Sequence, residues 1–220
     1  MVRHAVVAVL GVALVGLFWA SRPRWSAEMR LWKAVGDSAF VLLLLTLAVG
    51  PLARLVRALT PLLAWRRQLG IWFAIVASVH GVLIVNGWAR WSLRRFLGYE
   101  VLPQLGREVR LEPGFGLSNM IGVVALAFAL VLAATSSDWA LRRLGAQAWK
   151  WLHHSARFVF YLSLLHAGYF LFLHYTASFH KAIPPADWFR FPFVILGGGL
   201  VSLQVAAFAR TARRGAAAGA

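Results

Sequence analysis

Cysteine is absent from the 220 residues. That excludes disulfides, thiolate metal sites, iron–sulfur clusters and covalent c-type haem attachment. Acids are scarce, with 7 Asp and Glu against 23 Lys and Arg and a net charge of +16. Only 14% of residues are charged, where a soluble domain carries about 25%. With 3 Met and 7 His, any metal site falls mainly to histidine. No P-loop or glycine-rich dinucleotide fingerprint is present; Gly197-Gly198-Gly199 lies in an apolar run and reads as close helix packing. The loops are too short for a nicotinamide or flavin domain, so the chain does not take a hydride from NAD(P)H by itself.

What is abundant is apolar. Hydrophobic residues make up 60% of the chain, and the mean hydropathy is +0.70. A soluble fold of this size cannot hide that much apolar surface, and disordered chains are poor in such residues. The composition predicts an all-α membrane protein. Six stretches approach the roughly 20 apolar residues that a span needs, at about 4–20, 38–56, 69–87, 117–134, 150–174 and 189–209. The first reads as a retained helix rather than a cleaved signal, because Ser21-Arg22-Pro23-Arg24 makes a poor cleavage site. Four segments follow: a first helix and loop over 1–36, a core over 37–175, a last loop and helix over 176–210, and a disordered Ala/Gly-rich tail over 211–220.

The basic residues sit in short clusters between apolar runs. That is the pattern of helix-end anchors facing lipid headgroups, not of nucleic-acid binding. Placing both termini in the cytoplasm divides Lys and Arg evenly between the two sides. The inner clusters, such as Arg54, Arg57, Arg66 and Arg67, lie tighter against the span ends, which favours that orientation. The loop over 88–116 then lies outside, and its Trp88, Trp91, Phe96 and Tyr99 among charges predict an interfacial amphipathic helix or a docking surface. Trp65, Trp149, Trp151 and Trp188 read as the aromatic belt.

Ionisable residues inside spans are costly and mark function. His80 lies in the third span; His153, His154, Arg157 and His166 lie in the fifth. The two spans run in the same direction. His80 and His166 stand roughly 16 and 24 Å from their inner ends, a gap that tilt and boundary shifts can close. Two facing imidazoles in an apolar bundle can hold a haem iron from both sides, which suits electron transfer. His153 is roughly 20 Å nearer the inner face, where it either ligates a second haem or helps a flavin or quinone dock. It need not share a face with His166. Arg157, four residues on from His153, is placed for a haem propionate. His154 points away from His153, His4 sits at the inner edge, and His174 and His180 read as interfacial.

Several of these residues resemble the ferric-reductase-like transmembrane domain. They are Gly50-Pro51-Leu52-Ala53-Arg54, Arg66-Arg67-Gln68-Leu69-Gly70-Ile71-Trp72-Phe73 running to Val79-His80, Thr135-Ser136-Ser137, Arg142-Arg143-Leu144-Gly145, Trp149, Leu152-His153 and Leu165-His166. The resemblance covers about 40–175. It implies six helices around b-type haem, one or two, with His80, His153 and His166 as the haem-linked histidines and FMN or quinone as a further cofactor. Within the family, the pattern is most similar to the haem-binding membrane subunit of a bacterial periplasmic protein-methionine-sulfoxide reductase system. That implies an inner-membrane electron carrier rather than a complete enzyme. Electrons would enter from a cytoplasmic flavin reductase or the quinol pool and leave to a periplasmic molybdopterin reductase subunit. The alternative is a reductase acting directly on external iron or oxygen. The sequence departs from the family twice. Arg110-Leu111-Glu112-Pro113-Gly114-Phe115 replaces an Arg-Pro-aromatic stretch, and Arg66 stands 14 residues before His80, where two-haem relatives carry a second histidine.

Overall fold

A computed structural model describes residues 1–110, 112–174 and 185–218. Among them, six helical stretches are long and apolar enough to cross a membrane: Val2–Ala20, Ala27–Leu55, Arg57–Trp88, Gly114–Ala134, Ala146–His174 and Arg190–Ala216. The chain is an all-α membrane protein. Its lipid-facing sides carry apolar residues that a soluble fold would bury, including Val12, Ile195 and Phe208, each at least 70% exposed.

Helix α1 spans Val2–Ala20 and α2 spans Ala27–Leu55. The sequence predicts that α2 begins near 38, yet it begins eleven residues earlier. Ser26 caps it by accepting from the Met29 amide at 3.3 Å, and the early charges Lys33 and Asp37 are each paired with a partner outside the helix. A 3₁₀ segment over Arg57–Trp65, containing Pro61, turns the chain into α3, Arg66–Leu83. After α5, Pro113–Ala134, the short α6 over Asp138–Leu144 is capped by Ser137 and ends at Gly145, whose φ of +78 suits glycine. The fifth span is broken at Ser155 into α7, Ala146–His154, and α8, Ala156–Gly168. Both α3 and α8 widen at their C-terminal ends into a π turn, over Ile84–Trp88 and Tyr169–His174.

Between the third and fourth spans the predicted amphipathic helix does not form. A single turn, α4 over Leu93–Phe96, leads into an antiparallel hairpin, β1 Tyr99–Leu102 with β2 Arg107–Arg110. Tyr99, Val101 and Val109 favour strand, and Gly106 supplies the left-handed turn residue at φ +58. Helix α9 runs from Arg190 to Ala218. It therefore continues through most of the tail expected to be disordered, because alanine is the strongest helix former. His180 and Lys181 lie outside the described residues.

Four helices form the centre. Helix α3 packs on α2 and α5, and α8 packs on α5 and α2, so α3 and α8 occupy opposite corners of a diamond. Helices α1 and α9 lie against α2 from outside. Leu42, Leu43, Phe40 and Phe160 fill the shared core. Of the three consecutive glycines in α9, only Gly197 meets a neighbour, Leu164 of α8.

Candidate haem site between two histidines

His80 on α3 and His166 on α8 face each other across the diamond, with ring centroids 6.4 Å apart and planes at 76°. The boundary shift and the break at Ser155 bring the two to one depth. Each ring is held from behind. His80 Nδ1 lies 3.1 Å from the carbonyl oxygen of Trp32 on α2. His166 Nδ1 lies 2.8 Å from the carbonyl oxygen of Ser118 on α5. A carbonyl oxygen only accepts, so both Nδ1 atoms carry the proton and both Nε2 atoms keep their lone pair. Among the described residues neither Nε2 has a hydrogen-bond partner.

Two glycines make room for the rings. A Cβ on Gly36 of α2 would sit 3.0 Å from His80 Cε1, and one on Gly122 of α5 would sit 2.8 Å from His166 Nδ1. Any larger residue at either position displaces an imidazole.

These features fit an axially ligated iron. With metal–imidazole bonds of about 2.0–2.1 Å, two imidazoles bound through Nε2 to one first-row metal have centroids about 6–6.5 Å apart, which matches the observed separation. The Nδ1–H to carbonyl bonds are the outer-shell contacts that fix tautomer and orientation in metal-bound histidine. Among the described residues no three His, Asp or Glu side chains converge as a bare metal cage.

The other predicted residues are elsewhere. His153 stacks on Trp149, with centroids 3.9 Å apart at 23°. Its Nε2 lies 3.3 Å from Thr135 Oγ1, which spends its own proton on the Val131 carbonyl at 2.8 Å. Thr135 ends α5 thirteen residues beyond Gly122, roughly 20 Å along the axis, so His153 is not brought to the pair. His154 and Arg157 are exposed. Arg157 lies within electrostatic reach of Arg66, as does Arg54. This arginine end also carries the exposed pair of Arg67 and Asp138 at 2.6 Å. The Arg67 guanidinium holds the Asp138 carboxyl below its ordinary range.

Sequence reasoning missed the polar groups at the opposite, hairpin end. His174 is buried rather than interfacial, and its Nδ1 lies 2.8 Å from Glu112 Oε2. The Tyr169 hydroxyl donates to Glu112 Oε1. Nearby, Arg22 bridges Asp187 and Asp37 at 2.9 and 2.5 Å, and Lys33 reaches Asp187 at 2.8 Å. Phe170 lies against the His166 ring at 5.2 Å and the Phe115 ring at 5.4 Å, and Phe115 meets Trp88 at 5.5 Å. Aromatic residues thus run from the histidines toward the hairpin.

The chain is similar to haem-binding membrane subunits of known proteins. The protein-methionine-sulfoxide reductase heme-binding subunit MsrQ of Polaromonas naphthalenivorans is 29% identical over 162 residues, 70% of this chain and 67% of the relative. The protein of the same name from Bordetella pertussis is 31% identical over 136 residues, 62% of this chain and 59% of the relative. Residues 35–160, which contain most of α2, all of α3 and α5 and the first part of α8, match the family described as ferric reductase like transmembrane component. By that match over more than half its length, the chain belongs to the ferric reductase-like transmembrane component family.

Proposed function

We propose that this chain is the b-haem membrane subunit of a bacterial protein-methionine-sulfoxide reductase system. The observation that carries this reading is the pair of imidazoles 6.4 Å apart, both with Nδ1 engaged by a carbonyl. The names of the MsrQ relatives support it. Haem bound there supplies a one-electron ferric–ferrous couple. His80 and His166 hold the iron through Nε2. The Trp32 and Ser118 carbonyls keep the imidazoles oriented and raise their basicity. A haem held by these two imidazoles would be suited to electron carriage rather than to binding an external ligand.

The arginine end is the entry side in this reading, facing the cytoplasm with both termini. Arg54, Arg66 and Arg157 offer cations to a haem propionate or to the phosphate of FMN, and His153 stands beside them for a second haem, a flavin or a quinone. A cytoplasmic flavin reductase or quinol delivers the electrons. The hairpin end is the exit side, where a periplasmic molybdopterin reductase subunit receives them and returns oxidised methionine to the thioether.

A dithionite-reduced minus oxidised spectrum of detergent-purified protein, with haem quantified per chain, tests this. A sharp low-spin b-type α-band at about one haem per chain is expected from a single His80–His166 site; a ratio of two brings in His153. Protein without haem, even when expressed with added precursor, sinks the reading. Direct reduction of ferric iron or oxygen, given an electron donor and no periplasmic partner, would favour the alternative of a self-contained transmembrane reductase.

A further inference from the structure

Two buried polar clusters stand at the hairpin end, one beyond each imidazole. The first joins three separate parts of the chain. Arg22 follows α1, Lys33 and Asp37 lie on the early turns of α2, and Asp187 precedes α9. The Arg22 side chain is 1% exposed and that of Asp187 2%. Besides its two carboxylates, Arg22 donates through Nη1 to the Phe18 carbonyl at 3.3 Å, and Asp187 accepts from the Phe189 amide at 3.0 Å. Helix α2 touches His80 at two places, the Trp32 carbonyl and the bare Cα of Gly36. The next residue after each, Lys33 and Asp37, is bound into the cluster.

The second cluster has the same relation to His166. Glu112 immediately precedes α5 and accepts from Tyr169 and His174, both in the π turn that follows α8. The Tyr169 ring lies on Gly114, where a Cβ would come within 2.6 Å of it. Further along α5, Ser118 meets His166 through both its carbonyl and its hydroxyl, and Gly122 lies against the ring. The start of α5 is therefore locked to the end of α8 just outward of the contact that aims His166.

We propose that the two clusters are positioning sets, one for each imidazole. Arg22, Lys33, Asp37 and Asp187 fix the segment of α2 that orients His80. Glu112, Tyr169 and His174 fix the segment of α5 that orients His166. The proposal rests on the reading of the two histidines as haem ligands. Buried charges held by several partners suit this task, because removing one partner leaves the others unpaired in a medium that does not solvate them. The held segment then relaxes and takes its carbonyl with it.

The test uses purified full-length Asp187→Asn and Glu112→Gln proteins, with Asp187→Glu and Glu112→Asp as conservative counterparts. In the parent, ferrous haem held by two protein ligands is expected to bind no carbon monoxide. Each neutralising variant is expected to show a carbon-monoxide-binding fraction and to lose haem to apomyoglobin severalfold faster, within the about 10- to 100-fold that loss of an outer-shell partner itself brings. The conservative variants should recover most of both. Hydrogen exchange on the haem-free proteins separates the two sets. Asp187→Asn should accelerate exchange over residues 27–36 and Glu112→Gln over 113–122, each without the other. If Asp187→Asn does not yield folded protein, Asp37→Asn at the more open edge of the same cluster replaces it. Folded variants that retain haem like the parent, or exchange that rises equally along the whole chain, overturn the proposal. A parent that never binds haem overturns the ligand reading instead, while the exchange pattern still decides whether the clusters hold these segments.

Discussion

Ser118 and His166 are bonded to each other twice. The imidazole Nδ1–H donates to the Ser118 carbonyl at 2.8 Å, and the Ser118 hydroxyl donates to the His166 carbonyl at 3.1 Å. One helix thus reads both the ring and the backbone of the residue it orients, and the ring cannot turn without breaking its bond to the Ser118 carbonyl.

Replacing His80 or His166 by alanine is expected to abolish the low-spin spectrum. The loss of haem should exceed the about 10- to 100-fold typical of outer-shell changes. His153→Ala and Arg157→Ala should leave a low-spin haem between His80 and His166, because neither residue is one of the two proposed iron ligands. Haem per chain and the reduced α-band check all four. Loss of the central haem in His153→Ala would show that the pair is not self-sufficient.

Gly36→Ala and Gly122→Ala separate helix propensity from site geometry. Alanine in a helix is favoured by about 1 kcal/mol over glycine, so on propensity alone both variants gain stability. The added Cβ would lie 3.0 Å and 2.8 Å from an imidazole, and overpacking costs about 1–3 kcal/mol. Both variants should keep their helicity by circular dichroism and lose haem occupancy, Gly122→Ala more than Gly36→Ala.

At Gly116 the obstacle is backbone. A Cβ there would sit 2.4 Å from the Leu97 carbonyl oxygen, which cannot swing aside as a side chain can. Gly116→Ala should therefore separate the start of α5 from the chain leading into the hairpin. A destabilisation at or above the upper end of the about 1–3 kcal/mol overpacking range is expected, read as a fall in the thermal midpoint in detergent. Gly106→Ala, with φ +58 but open space around it, should cost only about 1 kcal/mol of local backbone strain and leave the midpoint nearly unchanged.

Acid should release the cluster around Arg22. Burial pushes the Asp187 carboxyl up, but Lys33 and Arg22 outweigh it and hold the group below its ordinary value of 3.8. The Arg22 guanidinium is opposed by its burial, yet Asp37 and Asp187 keep it above its ordinary value, charged at every usable pH. A depressed carboxylate contributes stability above its unfolded value and loses it as pH falls through the lower folded one. The contribution of Asp187 to the thermal midpoint, read as the difference between parent and Asp187→Asn, should stay level from neutrality down to about pH 4 and then fall. In Asp187→Asn the midpoint should be lower at neutral pH and the acid fall shallower. An identical acid fall in parent and variant would remove Asp187 from the cause.

All six spans were legible in the sequence because a bilayer demands long apolar runs and little else has them. The start of α2 was not, since Lys33 and Asp37 look like loop residues until Arg22 and Asp187, from distant parts of the chain, are seen to pair with them. The hairpin was hidden for a similar reason. Its alternation of Tyr99, Val101 and Val109 with charges suits a strand as well as an amphipathic helix, and only Gly106 argued for the turn. The His80–His166 pair was readable as two intramembrane histidines on parallel spans. The Trp32 and Ser118 carbonyls that aim them were not, because every residue has a carbonyl and sequence does not mark the one in use. Gly36 and Gly122 did leave a signal, as glycines interrupting otherwise strong helix-forming runs.

The π turns set a mechanical boundary. Both histidine helices widen just outward of the imidazole, at Ile84–Trp88 and Tyr169–His174, and a π turn stores one residue more than an α turn. At α3 the turn lies between His80 and the hairpin, so a one-residue insertion or deletion beyond it can be taken up by closing or opening that turn, and the helix before it keeps its rotation of about 100° per residue. At α8 the turn itself carries Tyr169 and His174 to Glu112, so a change of length there reaches the segment that holds His166. The two imidazoles are therefore unequally insulated from the hairpin end, His80 more and His166 less.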